Sequence, residues 1–413
     1  MSGSVLFSHR DIAHRLRIDA FGVDGYPSLW LANLAWNVAR WMDQITAGWI
    51  AFELTHSVLL VALIGFYRSV PLFVLGLFGG AIGDQVDRRR LIVFVQVLNV
   101  TCVAVLAILS VAHRLGYLEL AAGEVIMGIG MAVDWPSRRA LTADLVTREH
   151  LTNAIALDST AMNISRTVGP FLSGAVIAAL SWSSAYATLG LLYCVSGLLV
   201  ARIPPSVVKS RGLDRRVWRG LTEGIGEVLK DQAIVGVLMV TVVMNLLFFP
   251  FQQVLPVEAA DVLHQGAIGL GTLVAADGFG SLLGTLGIAT LVGHRRHGIL
   301  FLVGSMAGCA ALIGFSLVRG FTSAACLLFV EGIGRAGFSA FQSTIILRNC
   351  TVALRSRAMG VLTLAIGVGP FGALEIGILA EVIGTPRAIL ANACICLAWI
   401  SIIAVRSRQL REA

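Results

Sequence analysis

Eight charged residues stand deep inside the long apolar stretches of this 413-residue chain, away from both interfaces. They are Arg40, Asp43, Arg68, Glu124, Arg166, Asp277, Glu331 and Arg335, four cations and four carboxylates. In hydrocarbon each costs about 2.5–3.5 kcal/mol on insertion scales, so such groups are kept for ion pairing or for moving an ion. Two spacings suit pairing. Arg40 and Asp43 are three residues apart, and Glu331 and Arg335 are four apart, which on a helix puts both partners on one face. Arg68, on the next apolar stretch, is a third charge at the depth of the first pair and leaves one arginine unmatched locally. A carboxylate whose partner changes can release and rebind a proton. Asp43 is therefore the first candidate for proton coupling, with Arg40 and Arg68 as its cations. A permanent Arg40–Asp43 bridge would pass the role to Asp277 or Glu124. All eight histidines fall in loops or at the ends of apolar stretches, so the expected proton carrier is a carboxylate.

Other chemistries find no support. The seven cysteines have no metal-ligand spacing, and Cys394 and Cys396, two apart, would point to different faces of a helix. There is no nucleotide-binding G-x-x-x-x-G-K-[ST] motif and no nucleophile–base constellation. The expectation is a non-enzyme without metal or cofactor, whose energy comes from an ion or substrate gradient.

The elements that hold these charges are spanning helices. The chain is 57% hydrophobic and 13% charged, against about 25% charged in soluble domains. Twelve apolar stretches suit membrane spans of about 20 residues. They lie near 27–53, 57–83, 91–112, 117–136, 153–180 and 184–203, then near 232–257, 266–293, 298–318, 322–346, 357–383 and 387–405. The implied divisions are an N-terminal arm (1–26), a first six-helix bundle (27–203), a linker (204–231), a second bundle (232–406) and a tail (407–413). The polar N-terminus carries no cleavable signal pattern. The longest other break is a loop at 137–152. In the linker, Val217, Leu221, Ile225 and Val228 have the spacing of an amphipathic surface helix.

The net charge of +7 is concentrated in the breaks between spans. Alternate breaks hold most of the 31 basic residues, and the others hold only Arg114, Arg319 and Arg387. This asymmetry predicts a multi-pass protein of the cytoplasmic (inner) membrane with both termini inside, and it argues against nucleic-acid binding. The tryptophans at 30, 36, 41 and 49 and the phenylalanines at 248, 249 and 251 read first as lipid-facing or interfacial anchors, with stacking on a flat substrate as the alternative. Gly76, Gly79, Gly80 and Gly83, and Gly280, Gly284 and Gly287, have spacing suited to close helix packing.

Three motifs recur half a chain apart. Met127-Gly-Ile-Gly130 returns as Glu331-Gly-Ile-Gly334, Val168-Gly-Pro-Phe171 as Val368-Gly-Pro-Phe371, and Asp87-Arg-Arg-Arg90 as His294-Arg-Arg-His297. Their common order argues for a duplicated six-helix unit with a site at the interface.

On these motifs the chain resembles the major facilitator superfamily over its whole length, and within it the enterobactin-exporter and macrolide-efflux group. Gly80, Asp84, Arg88 and Arg89 match the loop motif after the second helix. Pro136 to Leu141, Asp144, Asn153 and Arg166 to Pro170 resemble the group more specifically. Gly169, Pro170 and Gly174, with Arg166 before them, match part of the fifth-helix antiporter motif. Glu124 stands where proton-coupled members commonly have an arginine. The resemblance implies an all-α membrane protein of twelve helices in two pseudo-symmetric bundles, with Asp84 as a gate residue braced by Arg88 and Arg89. It also implies a monomeric exporter of drug-, siderophore- or metabolite-like molecules in exchange for protons. An importer or lysophospholipid-type lipid transporter on the same fold is the alternative, and a transport-dead receptor or scaffold is the alternative of another class.

Overall fold

The computed structural model describes residues 19–83, 87–204, 226, 231–290, 297–351 and 354–412, and every regular element among them is helical. A 3-10 turn at Asp19–Gly22 precedes α1 (Tyr26–Thr55), α2 (Val58–Gly83), α3 (Arg88–Val111), α4 (Tyr117–Leu145), α5 (Arg148–Ala179) and α6 (Trp182–Ala201). The second half holds α7 (Gln232–Val262), α8 (Ala267–Thr290), α9 (His297–Leu317), α10 (Phe321–Asn349), α11 (Arg355–Ile366 and Gly369–Ile383), α12 (Thr385–Arg406) and the short α13 (Arg408–Glu412). Among the described residues, nine helices are long and apolar enough to cross a membrane. The long helices α1, α4 and α5 fall short of that measure; they carry Arg40, Asp43, Glu124, Asp134, Arg138, Asp158 and Arg166.

Helix α4 corrects the expected loop at 137–152. It continues through Pro136 to Leu145, and only two residues separate it from α5. Arg138 explains the continuation. Its guanidinium is almost fully buried and bonds Asp134 one turn earlier at 2.9 Å, so the turn is satisfied within the bundle rather than in water. Two other spans are less regular than expected. Helix α7 contains π turns at Met244–Phe248 and Glu258–Val262, and α11 breaks at 367–368 ahead of Pro370. The expected amphipathic linker helix lies outside the described residues, as do Asp84, Arg295 and Arg296.

Helices α1–α6 pack together, α1 against α5 and α6 and α4 against α2 and α3; in the second half α10 packs between α8 and α9, and α9 meets α12. The halves meet along α5–α8 and α2–α11. Glycines set the α5–α8 seam, because a Cβ at Gly174 or Gly278 would strike backbone of the facing helix, and at the α2–α11 seam a Cβ at Gly377 would strike the Ala62 methyl. One end of the bundle carries Arg88, Arg89, Arg90, Arg202, Arg348, Arg355 and Arg406 at helix termini. The opposite end carries the tight turns at His56, His113 and His264, each with positive φ, and there Glu381 of α11 accepts bonds from Leu59 N (3.1 Å) and Ser57 Oγ (3.4 Å) beside α2.

Candidate functional site

Near the basic end a cleft of about 380 Å³ opens between α1, α4 and α5. Asn33, Trp36, Asn37, Trp135, Arg138, Arg139 and Asp158 are among its walls. The wall is braced from behind. Gln96 and Arg138 both donate to Asp134 (3.0 and 2.9 Å), and Arg138 reaches Asn33 Oδ1 and Ser196 Oγ at 3.0 Å each. Thr142 donates to Asp158 at 3.1 Å. Asp134 and Asp158 lie inside the expected spans 117–136 and 153–180 but were not among the charges singled out there, and Arg138 was missed because its segment read as a loop. The Asp134–Arg138 spacing of four residues was the signal that could have found them.

Deeper in the first bundle lies a charge cluster. Arg68 of α2 is ion-paired with Asp43 of α1 and sits 3.3 Å from Glu124 of α4. Both carboxylates are fully buried, and each has one oxygen without a hydrogen-bond partner. The same guanidinium donates to the Arg40 carbonyl at 3.3 Å. The expected Arg40–Asp43 pair does not form. Arg40 turns instead to the tryptophans, with its guanidinium carbon 4.8 Å from the Trp41 ring, 4.9 Å from Trp135 and 5.8 Å from Trp36. Three residues on a helix allow contact but do not compel it. Here a cross-helix arginine takes the carboxylate, and the rings take the nearer arginine.

A second cluster joins the two halves. Asp277 of α8 is ion-paired with Arg335 of α10 and lies 3.2 Å from Arg166 of α5. Gln252 of α7 adds a bond at 3.3 Å. Glu331 is 3.6 Å from Arg335, as its spacing suggested, but Asp277 is the better-placed partner and both Glu331 oxygens lack hydrogen bonds. Arg166 also stands 4.9 Å from the Trp41 ring, on which Arg40 rests as well. The tryptophans are therefore not lipid anchors. Trp36 and Trp49 are buried, Trp30 donates to the Leu157 carbonyl at 3.0 Å, and Phe248 and Phe251 sit in the core of the second bundle.

The repeated glycine motif places the clusters at matching positions. A Cβ at Gly128 of α4 would strike the Arg68 carbonyl on α2, and a Cβ at Gly332 of α10 would strike the Asp277 carbonyl on α8. A cation in the first half thus stands where an anion stands in the second, each flanked by opposite charges. We expect Gly128→Val and Gly332→Val each to destabilise the protein by about 1–3 kcal/mol, because no flexible side chain can yield to the added atoms. Thermal unfolding of the purified variants would show it, and unchanged midpoints for both would disprove the close approach.

The other motif residues are placed as follows. Arg88 is paired with Asp144 at the end of α4, and Arg89 donates to the Ala201 carbonyl at the end of α6. Gly169 lies against Val38 and Trp41 of α1, Gly174 against Ala267 of α8, and the Pro170 carbonyl against Gly271. Gly80 falls within α2, and Asp84 is outside the described residues. Gly280 and Gly284 face Phe329 and Ile333 of α10, the close packing their spacing suggested. Among the described residues no group of His, Cys, Asp and Glu could hold a metal ion.

Residues 17–413 match the family model described as transmembrane secretion effector. The chain is 25% identical over 376 residues to the multidrug efflux pump Tap of Mycolicibacterium fortuitum, covering 88% of this chain and 91% of that protein. It is 25% identical over 173 residues to the staphyloferrin A transporter of Staphylococcus aureus, covering 42% of this chain and 44% of the relative. In fold it is similar to a bacterial homologue of the human lysosomal transporter Spinster in an inward-facing, unoccupied conformation. That match has a TM-score of 0.68 and 15% identity, and covers 94% of this chain and 98% of the other.

Proposed function

Because the chain belongs to the transmembrane secretion effector family of major facilitator transporters, it is a multi-pass membrane transporter of small molecules and not an enzyme, and we propose that it exports small organic molecules from the cytoplasm in exchange for protons. The observation that carries this reading is the cleft with its charges. A pocket open at one end of the bundle lies in front of a buried Asp43–Arg68–Glu124 cluster, and the halves are tied together toward the other end. That arrangement suits one state of alternating access. We take the arginine-rich end as cytoplasmic, which puts both termini inside the inner membrane and makes α1–α12 twelve spans. Asp43 and Glu124 are the proposed proton site, Asp277 with Arg166 and Arg335 the tie between halves, and Asp84 with Arg88 and Arg89 the proposed cytoplasmic gate. The efflux and siderophore relatives support export. An apolar groove of about 540 Å³ between α7, α11 and α12 favours a lipid-type substrate as the second reading.

Everted vesicles test the direction. With a proton gradient imposed, they should accumulate radiolabelled 2-naphthoate, or lysophosphatidylcholine if the second reading holds, and right-side-out vesicles should not. Accumulation indifferent to collapse of the gradient would reject proton exchange. For topology, single cysteines at His264→Cys and Arg90→Cys should react with an impermeant maleimide from the outside and from the inside, respectively. The reverse pattern would invert the bundle.

A further inference from the structure

Arg40 differs from the cations of the two charge clusters and from Arg138. Arg68, Arg138, Arg166 and Arg335 each have a carboxylate within 4 Å, whereas the Arg40 side chain has no ion pair and no hydrogen bond among the described residues, and its Nε is buried without a partner. A cation at mid-bundle with no counter-charge is costly, and the tryptophan rings around it offset only part of that cost. Its surroundings are shaped for a ligand. Arg40 lines a polar cavity of about 80 Å³ with Gln44, Arg68, Ser69, Gln253 and Glu124, and that one carboxylate is held by Arg68. The same guanidinium stands over Trp36 and Trp135, which wall the larger cleft.

We propose that Arg40 is the anion-recognition residue of the substrate site, and that the substrate is an amphipathic organic anion with its carboxylate on Arg40 and a flat apolar body against Trp36 and Trp135. The planar guanidinium offers paired donors to a carboxylate, and the rings offer apolar area at small entropic cost. The proposal deepens the transporter reading and rests on it for direction alone, since binding is measured without transport. Exchange of an anion for a proton also moves charge in the direction that an interior-negative potential favours.

The test is equilibrium binding of radiolabelled 2-naphthoate to the purified full-length protein, beside its neutral alcohol and its methylammonium counterpart. Naphthoate should bind saturably at millimolar concentration or below, more tightly than either analogue, and equally with or without chloride. Arg40→Gln should weaken it by about tenfold or more, the range of a lost charge-assisted bond, and weaken the alcohol by much less. Arg40→Lys should recover part of the loss. If Arg40→Gln does not fold, Trp36→Leu provides the second variant, with weaker binding of both naphthoate and alcohol expected. The proposal is overturned if the ammonium compound binds as well as naphthoate, if naphthoate shows no saturable binding, if chloride displaces it, or if Arg40→Gln keeps wild-type affinity. Naphthoate binding that depends on Arg40, together with failure of the vesicle assay, would instead overturn export and leave the site standing.

Discussion

Asp277→Asn is expected to remove most of the folded protein. Asp277 is the shared anion of Arg335, which is 1% exposed, and of Arg166, which is 17% exposed. Breaking a buried pair by deleting one partner costs about 3–5 kcal/mol, because the other charge stays behind unpaired. Here two cations are left behind, and the Arg335 Nη1 and Nε atoms already lack hydrogen-bond partners. Glu331 is a poor substitute at 3.6 Å from Arg335. The asparagine keeps the size of the side chain and its Gln252 contact, so the loss reports charge and not volume. It should be read as the monodisperse fraction on fluorescence-detected size exclusion and as the unfolding midpoint in detergent. Adding Arg335→Gln should restore much of both, since it removes the better-buried of the two orphans. A single Asp277→Asn variant with the wild-type midpoint would show that the cluster carries little stability.

The bundle was legible in the sequence where one signal decided the outcome. Apolar stretches at the length of a span gave the helices, and glycines at fixed spacing gave the tight packing at Gly280 and Gly284, whereas Gly128 and Gly332 stood out only as members of a repeated motif. Legibility failed where two helices compete for one charge. Asp43 has Arg40 at a favourable spacing on its own helix, yet Arg68 of α2 holds it, and nothing in the order of residues says that three tryptophans will claim Arg40. It failed again at Pro136, which read as a helix end. Asp134 and Arg138 carry the helix past it by bonding each other inside the bundle. The matched sites of Arg68 and Asp277 were hidden for a third reason. Their charges are opposite, so a search for like residues passes over a pair of positions that the Gly-Ile-Gly repeat superposes.

Asp43→Asn and Glu124→Gln should each uncouple transport from the proton gradient. The structure moves the expectation from one carboxylate to two. Asp43 and Glu124 face the same guanidinium, each with an oxygen that has no partner, and both lie fully buried. Arg40, the next cation along α1, points to the tryptophans and donates no bond to either carboxylate. One arginine balances one carboxylate, and a second buried charge without its own cation is unfavourable unless it is neutralised. A single proton shared by the pair supplies that neutralisation, and a change in the α1–α2–α4 contact would release it. Such a pair titrates as a unit, so the prediction applies to both residues. In everted vesicles a gradient of one pH unit, about 1.4 kcal/mol, can hold about a tenfold accumulation of substrate. Either variant should let that accumulation fall to equilibrium while downhill movement continues at a comparable rate, because the arginine and the cleft remain. Loss of downhill movement as well would mean that the pair is needed for folding or for the conformational change. Uphill transport that survives in both single variants and in the double, at wild-type expression, would remove the cluster from coupling and leave it a structural tie between α1, α2 and α4.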